Sequence, residues 1–257
     1  TSDSIDEFIN INGRLNGEAV ISGQVGKGFD VAGSTNIDNL SLIGLDFNDV
    51  KGLFWFDGKE RIITLDRVVG EGQDLYFSAN GDIHLNGETD LEIDAKGVDI
   101  EKVLNTFDTK GIALQGKGDF NGSLRGSLRS PQLAGVLKIN NGYLLGQDFD
   151  EAKGSFEWTG ENLKLSDTTI KKGYMEYKVC GEIMPGDAKM DLDIDVKKVD
   201  IKQLLGMAKI DTSLLSGIVS GTFKLYGPFS LPRTHGTIEI AEGRLWNFRI
   251  DNRSEER

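Results

Sequence analysis

Three carboxylates spaced two residues apart are the strongest candidates in this chain for metal or acid–base chemistry. Asp191, Asp193 and Asp195 are separated from one another by single apolar residues. On a β-strand, side chains two apart share a face and lie about 7 Å from each other. This spacing and the strict alternation favour the solvated face of a strand over a calcium ladder or a paired-carboxylate site.

Other reactive residue types are few and scattered. The two histidines, His84 and His235, are far apart and lack the spacing of metal ligands. The single cysteine, Cys180, lies in a strand-like stretch and is interpreted as a small buried apolar residue. Residues 116–118 are glycine-rich, but no helix follows as in a phosphate-binding loop. We therefore predict no catalytic residue, no metal site and no cofactor, and the chain is not expected to be an enzyme.

Charge and composition limit the classes of partner that this chain can bind. The 257 residues carry a formal net charge of −12, which excludes a nucleic-acid partner because phosphate contacts need clustered Lys and Arg. The 33 glycines against 4 prolines are typical of many tight turns between strands. No stretch reaches the roughly 18 apolar residues of a membrane-spanning helix.

The elements that carry these residues are predicted to be β-strands. Residues 190–196 alternate apolar and polar side chains without a break, and residues 90–95 do the same. Such alternation is typical of a strand with one apolar and one solvated face. Turn residues such as Asn86-Gly87 separate the runs. The pattern predicts an all-β fold of short strands, eight to ten per repeat.

One helical segment is predicted in each repeat. Residues 98–107 and residues 199–208 share the opening Val-Asp-Ile, and Asp99 or Asp200 is placed to cap a short helix. A helix this short is marginal on its own and requires packing against the sheet.

The sequence repeats itself with a period of about a hundred residues. Residues 46–58 match residues 148–160 at a separation of 102, with the Phe and Gly positions retained. A fixed period indicates one structural unit stacked on copies of itself. The predicted organisation is a partial repeat at 1–32, repeat 1 at 33–132, repeat 2 at 133–231 and the start of a third repeat at 232–257. We interpret the chain as a piece of a longer protein.

The order of glycine, proline and apolar positions resembles a known family. Residues 131–183 contain P-x-L-x-G-V-L-K-I-N-N-G-Y-L-L-G, then A-x-G-S-F-E-W, then L-K-L-S-D. The acidic alternating strand, the V-D-I segment and G-x-V-x-G-x-F-x-L-Y-G-P follow. This pattern resembles the AsmA-like superfamily of repeating β-groove proteins, most closely its TamB branch, over residues 33–251.

The resemblance implies a fold and a function. Members are elongated repeats of amphipathic antiparallel strands curled into a hydrophobic groove, the β-taco, with one short helix per repeat. They are anchored in the inner membrane, cross the periplasm and carry phospholipids between the inner and outer membranes, supporting outer-membrane biogenesis. The implied partners are phospholipid acyl chains and an outer-membrane barrel protein. Both the anchor and the barrel-binding region are expected outside this chain.

The strand alternation provides the candidate lipid-binding residues. Their side chains share the apolar sides of the predicted strands. The predicted groove lining comprises Phe54, Phe56, Ile83, Leu85, Leu91, Ile93, Leu137, Ile139, Phe156, Trp158, Leu163, Leu165, Leu192 and Ile194.

Two alternatives remain at this stage. Alternation alone favours a closed core, because most amphipathic sheets pack their apolar faces together, whereas the family resemblance favours an open groove. A structural or chaperone-like β-repeat scaffold, which pairs an exposed sheet edge with client strands during outer-membrane or secreted protein assembly, is the alternative function.

Overall fold

The structure is a computed structural model, and it describes residues 12–24, 28–42, 44–106, 114–127, 130–144, 147–202, 215–245 and 248–250. This described part is all-β, with antiparallel strands in one sheet that is not closed and one short helix. The fold class predicted from the sequence is confirmed. No helix in the described ranges is long and apolar enough to cross a membrane.

In the described ranges fifteen strands follow one another across the sheet in the order of the chain. The helix α1 (Ile100–Thr106) lies between the sixth and seventh of these strands. The strands are β1 (Asn12–Gln24), β2 (Gly28–Leu42), β3 (Leu45–Asp57), β4 (Ile62–Gly72), β5 (Leu75–His84), β6 (Glu88–Asp99), β7 (Leu114–Ser127), β8 (Ser130–Leu144), β9 (Gln147–Trp158), β10 (Leu163–Lys172), β11 (Met175–Met184), β12 (Lys189–Asp200), β13 (Leu215–Pro228), β14 (Arg233–Leu245) and β15 (Phe248–Ile250).

The strands are longer and fewer than the sequence pattern predicted. Six strands, β2 to β7, correspond to the next six, β8 to β13, so the expected eight to ten short strands per repeat was wrong. Strand β2 runs for 15 residues and β3 for 13. Asn86-Gly87 does separate β5 from β6, as predicted, but Asn141-Gly142, which also has the residues of a turn, lies inside β8.

β-Bulges explain why alternation breaks without ending a strand. The pairing of β4 with β5 shifts around Arg67, and the pairing of β10 with β11 shifts around Asp167, where both residues have a positive φ of 49°. A second shift recurs at Gly97 and at Lys198, with φ values of 69° and 55°. Each bulge inserts one residue, so that apolar side chains before and after it remain on the same face. The bulges therefore recur with the same period as the sequence.

The chain forms two compact units. The first comprises Thr1–Thr109, Lys117–Leu137 and Phe156–Gly160. The second comprises Lys110–Gly116, Lys138–Ser155 and Glu161–Arg257. These boundaries follow spatial contacts, whereas the repeat boundaries inferred from the sequence period stay a prediction.

Each unit has its own small apolar core. In the first unit the rings of Phe47 and Phe77 meet edge to face, with their centroids 4.8 Å apart. The remaining members of this core are Leu40 and Val50, with Ile37, Leu45, Val68 and Leu75 packed against them. The core of the second unit comprises Met175, Val196, Val199, Ile201 and Val219.

Helix α1 begins where the sequence predicted a capped helix. The Asp99 carboxylate accepts a hydrogen bond from the Lys102 backbone N–H at 3.2 Å, and Ile100 is buried. At the corresponding place in the second unit, the Asp200 carboxylate accepts from the Lys202 N–H at 2.8 Å. Residues 203–208 of the second predicted helix lie outside the described residues.

Candidate functional site: the apolar face of the sheet

Strand register in the first unit brings apolar side chains and glycines into continuous rows. Phe54 of β3 is paired with Gly33 of β2 and with Leu65 of β4. Leu65 is paired with Gly81, and Gly81 with Leu91. Because cross-strand partners share a side of the sheet, these residues define what we call the apolar face.

The next row continues the apolar face. Phe56 is paired with Ile63, Ile63 with Ile83, and Ile83 with Thr89. Thr89 is buried, and its hydroxyl donates a hydrogen bond to the Gly126 carbonyl at 2.9 Å. The polar group in this row is therefore satisfied internally.

The second unit repeats this arrangement. Leu165 of β10 is paired with Gly181 of β11, Gly181 with Leu192 of β12, and Leu192 with Leu225 of β13. Ile194 lies two residues further along β12 on the same face. Leucines and glycine thus form a row equivalent to that of Phe54.

The opposite side of the sheet is polar. Asp82 is paired with Asp90, and the Asp90 carboxylate forms an ion pair with Arg125 at 2.9 Å. The Thr64 hydroxyl donates to Asp82 at 2.6 Å. We call this side the polar face; its charges are neutralised by neighbours across the strands and by water.

The row of Asp191, Asp193 and Asp195 lies on this polar face. Asp193 is paired with Cys180 and with Lys224, and Lys224 forms an ion pair with Asp191 at 2.7 Å. Cys180 is exposed on this face, so the prediction that it is buried was wrong: the two-residue period of the strand points its side chain to the polar side. In the described ranges no group of three or more His, Cys, Asp or Glu side chains is arranged to hold a metal ion. The row is a solvated strand face, as its alternation indicated.

The fourteen predicted lining residues differ in exposure. Leu91, Ile139 and Leu192 are only 8%, 2% and 8% exposed, so they belong to packed cores rather than to an accessible lining. Leu85 is 47% exposed but lies beyond the end of β5. The other ten are half-buried: Phe54, Phe56, Ile83, Ile93, Leu137, Phe156, Trp158, Leu163, Leu165 and Ile194.

A ring contact places Phe156 on the apolar face, and strand alternation places Trp158 there. The Phe156 ring lies 5.7 Å from the ring of Phe120, and Phe120 is paired with Ala95 in an apolar row. Trp158 follows Phe156 by two residues on the same strand and therefore shares its face. Trp55, by contrast, lies on the polar face beside Thr64 and is 54% exposed.

Burial changes systematically along the apolar face. On β3, Phe47 and Val50 are 4% and 3% exposed, whereas Phe54 and Phe56 are half-buried. On β12, Val196 and Val199 are fully buried. In each unit the end of the apolar face where the chain passes into the helical segment is thus packed, and we call it the closed end. The opposite end, the open end, keeps its apolar side chains half-accessible on β3 to β5, on β10 and on β11, whereas Leu91 of β6 and Leu192 of β12 are buried there.

The sequence analysis missed some residues at the open end. Ile63 and Ile183 are half-buried on the apolar face, paired with Phe56 and Leu163 respectively. Ile63 was overlooked because it follows Ile62, and the doublet breaks the alternation. Its equivalence to Leu163, at a separation of 100 residues, was the available signal.

Aromatic rings on the apolar face lie across glycines of neighbouring strands. A Cβ atom added to Gly33 would stand 2.9 Å from the ring of Phe54. A Cβ on Gly142 would overlap the ring of Phe149 in the same way. Each ring therefore lies over the adjacent strand; the Phe54 ring is half-buried there, whereas Phe149 is only 3% exposed and belongs to the packed part of the face.

Ion pairs in both units shift the pKa values of their members. Lys172 pairs with Asp148 and, at 3.4 Å, with Asp150. The hydrogen bond from Lys172 lowers the pKa of Asp148, and the Gly173 N–H is the main cause that lowers the pKa of Asp150. In the other unit, the hydrogen bond to Asp49 raises the pKa of Lys51. These pairs keep their charges near neutral pH and form no acid–base couple.

One depression of about 760 Å³ is found in the first unit, and it lies on the polar side. Asn16, Glu18, Lys51, Leu53 and Arg67 are among its lining residues. It is shallow and open. The candidate functional site is therefore the extended apolar face rather than a pocket.

Comparison with known proteins does not identify this chain. No protein-family model, no curated protein and no solved structure matches it. The similarity to AsmA-like proteins therefore rests on the spacing of residues in the sequence.

Proposed function

We propose that this chain shields the acyl chains of phospholipids on its apolar face, as a segment of a bridge-like lipid transport protein. The observation that carries the proposal is the half-accessible row of apolar side chains at the open end. Phe54, Phe56, Ile63 and Ile83 lie side by side there, and no second layer of the described chain buries them. A sheet that exposes such a row requires an apolar occupant or partner.

The free energy gained when acyl chains leave water favours a lipid as the occupant of the apolar face. Each acyl CH₂ removed from water contributes about 0.8 kcal/mol, so a two-tailed lipid in water faces a barrier of tens of kcal/mol. An apolar surface along the path of the lipid removes most of that barrier. The half-buried ring of Phe54, which lies across Gly33, provides contact area for an acyl chain.

Where the structure describes it, the apolar face also lacks features that would fix a compact polar ligand. At the open end its paired residues are Phe, Ile and Leu, and the hydroxyl of the nearby Thr89 is already bonded to the Gly126 carbonyl. Specific small-molecule sites orient their ligands by a few convergent polar groups. A surface without such groups accepts acyl chains in any register, and this property permits sliding.

The cellular setting of the proposal comes from the family resemblance. In that setting the chain lies in the periplasm, within a protein anchored in the inner membrane by a segment outside this chain. It passes phospholipids between inner and outer membranes and supports outer-membrane biogenesis, with a barrel protein contacting another region. The acidic chain adds no charge-based attraction to anionic membrane surfaces.

Neighbouring residues on opposite faces provide a sharp test. A photoreactive benzoylphenylalanine at Phe56 reports the apolar face, and the same group at Trp55 reports the polar face. The purified chain is incubated with vesicles of phosphatidylethanolamine and phosphatidylglycerol, irradiated and analysed by mass spectrometry. Position 56 is a better probe than Leu192, whose side chain is only 8% exposed.

We expect phospholipid adducts at position 56 and at Ile63, with few at position 55. Organic extraction of the untreated chain should release copurified phospholipid. Equal labelling of the two faces, or no lipid in either experiment, would refute the proposal. A scaffold whose apolar face is covered by another protein would instead give protein adducts at position 56.

A further inference from the structure

An accessible tryptophan lies on the polar face of the first unit, on the other side of the sheet from the proposed lipid surface. Trp55 of β3 is 54% exposed. Its cross-strand partners, Ala32 on β2 and Thr64 on β4, are both small. Because neither partner is large enough to cover an indole, the ring is available to a ligand on this face. Trp combines an apolar ring with a polar N–H, and both suit it to contact a partly polar ligand.

The depression of about 760 Å³ described above adjoins this tryptophan. Leu53, which lines the depression and is 44% exposed, precedes Trp55 by two residues on β3. The two side chains therefore share a face and lie about 7 Å apart. Val69 of β4 also lines the depression. Trp55 and the depression thus form one surface, which we call the Trp55 surface.

The polar groups of the Trp55 surface include both donors and acceptors of hydrogen bonds. Two amides, a hydroxyl, a carboxylate and two cationic groups line the depression: Asn16, Asn36, Ser34, Glu18, Lys51 and Arg67. Lys51 pairs with Asp49, and Arg67 pairs with Asp66 at 3.5 Å. Since both cations have acidic neighbours and Glu18 adds a further negative charge, the surface offers no positive field to an anion. These groups suit a neutral ligand that both donates and accepts hydrogen bonds.

The strand architecture does not require an aromatic residue at this place. At the separation of 102 residues that relates the repeated segments, Trp55 corresponds to Glu157 and Leu53 to Ser155. Both copies form a long strand, β3 or β9, although the second has polar residues at these two positions. The apolar side chains of the Trp55 surface are therefore particular to the first copy, and they indicate a role other than folding.

A carbohydrate has the chemistry that this surface accepts. A pyranose ring has a face of C–H groups that can stack on an indole, and its hydroxyls both donate and accept hydrogen bonds. An anionic membrane surface fits less well, because its headgroups require an excess of Lys and Arg. Because the indole lies beside the depression rather than inside it, a ligand of more than one sugar ring contacts both parts.

We propose that the Trp55 surface binds a neutral oligosaccharide. One sugar ring stacks on the indole of Trp55, and the hydroxyls of a neighbouring ring form hydrogen bonds with the side chains that line the depression. The proposal concerns binding alone and involves no reaction of the sugar. Because the apolar face is on the other side of the sheet, sugar and lipid occupy separate surfaces.

Titration calorimetry with defined sugars tests the proposal. The whole chain is titrated with cellotetraose, chitotetraose and maltotetraose, and with glucose as a single-ring probe. We expect saturable binding of at least one tetrasaccharide, at least about tenfold tighter than glucose because two adjoining parts of the surface are engaged together. Trp55→Ala should weaken this binding at least about tenfold through loss of the stacked ring. No binding of any of the three tetrasaccharides would overturn the proposal.

Matched variants locate the bound sugar. Asn36→Lys, which introduces the residue found at the equivalent position 138, should weaken binding because a long side chain occupies the depression. Glu157→Ala, at the position equivalent to Trp55, should leave the affinity unchanged. Circular dichroism verifies that each variant is folded. Equal losses in Trp55→Ala and Glu157→Ala would contradict the assigned surface.

Two further probes separate sugar binding from other kinds of binding. Dextran sulfate and vesicles of phosphatidylethanolamine and phosphatidylglycerol should not bind in a manner that depends on Trp55. Binding of either probe that is lost in Trp55→Ala, without binding of a neutral tetrasaccharide, would show an anion or membrane surface instead and would refute the proposal. Lipid adducts at position 56 should persist in Trp55→Ala, so failure of sugar binding is distinguishable from failure of the lipid-binding proposal.

Discussion

The ring of Phe77 lies over Gly70, its cross-strand partner on β4, so closely that a Cβ atom at Gly70 would overlap the ring. Phe77 also meets Phe47 edge to face in the core of the first unit. The glycine thus makes room for an aromatic side chain that joins three strands. Shape at this position, rather than turn formation, explains why a glycine lies inside a strand.

Replacing Gly70 by alanine should destabilise the protein although alanine is the better strand former. The added methyl displaces the Phe77 ring from a packed core, and such overpacking costs about 1–3 kcal/mol. Urea denaturation followed by circular dichroism measures the change. Gly186→Ala is the control, because its added Cβ meets no atom within 4 Å and should change stability little. Equal effects at both positions would contradict this account of the ring packing.

The closed end should contribute more to stability than the periphery. Val199 is fully buried, and Val199→Ala should lower the free energy of unfolding by about 2 kcal/mol through lost burial and a residual cavity. Val136 is 39% exposed, so Val136→Ala should cost less than about 1 kcal/mol. Urea midpoints at constant slope provide the comparison. If Val136→Ala proved the more damaging change, the assignment of the core would be wrong.

Native tryptophans can report lipid contact without a label on the protein. Trp158 lies on the apolar face and Trp55 on the polar face. Spin-labelled acyl chains should therefore quench a protein retaining only Trp158 and leave one retaining only Trp55 nearly unchanged. Trp246, which lies outside the described residues, is replaced by Phe in both. Preferential quenching of Trp55 would be inconsistent with lipid binding on the apolar face.

The carboxylates around Lys172 should make stability fall in acid. The pKa values of Asp148 and Asp150 are lowered below the ordinary 3.8 in the folded protein. Groups with a lowered folded pKa stabilise the fold above the unfolded pKa, and this contribution is lost as pH falls through the folded value. The loss therefore begins near pH 4 and continues below it.

Substitution of Lys172 separates the causes of these two shifts. Lys172→Met removes the main cause acting on Asp148, so its pKa should return towards 3.8. Asp150 should keep part of its shift, because the Gly173 N–H still donates to it at 2.6 Å. Carboxyl chemical shifts followed by NMR between pH 2 and 6 give both values. An unchanged Asp148 pKa would show that the ion pair does not form in solution.

The local sequence pattern was sufficient to predict which side of each strand is apolar. Alternation placed Phe54 and Phe56 on one side, and the register rows have the same arrangement. It also placed Asp191 and Asp193 on the solvated side, because side-chain direction in a strand depends only on the two-residue period. The cap at Asp99 was predictable for a similar reason, since capping is a contact between residues close in the chain.

Strand length and number were not predictable in this way. Bulges at Arg67 and Asp167 break the period while pairing continues on both sides. In the sequence such a break looks like the end of a strand. Only the partner strand shows that the ladder resumes, because a bulge is a property of two strands rather than one.

The sequence by itself determined an all-β repeat whose strands each have an apolar and a polar side. The tertiary structure decided which apolar residues are accessible: Leu91 and Leu192 are packed, whereas Phe56 and the unpredicted Ile63 are half-accessible. The reason is that side-chain direction is set by a residue's immediate neighbours. Burial, however, depends on which distant residues pack against that side chain, and alternation contains no information about them.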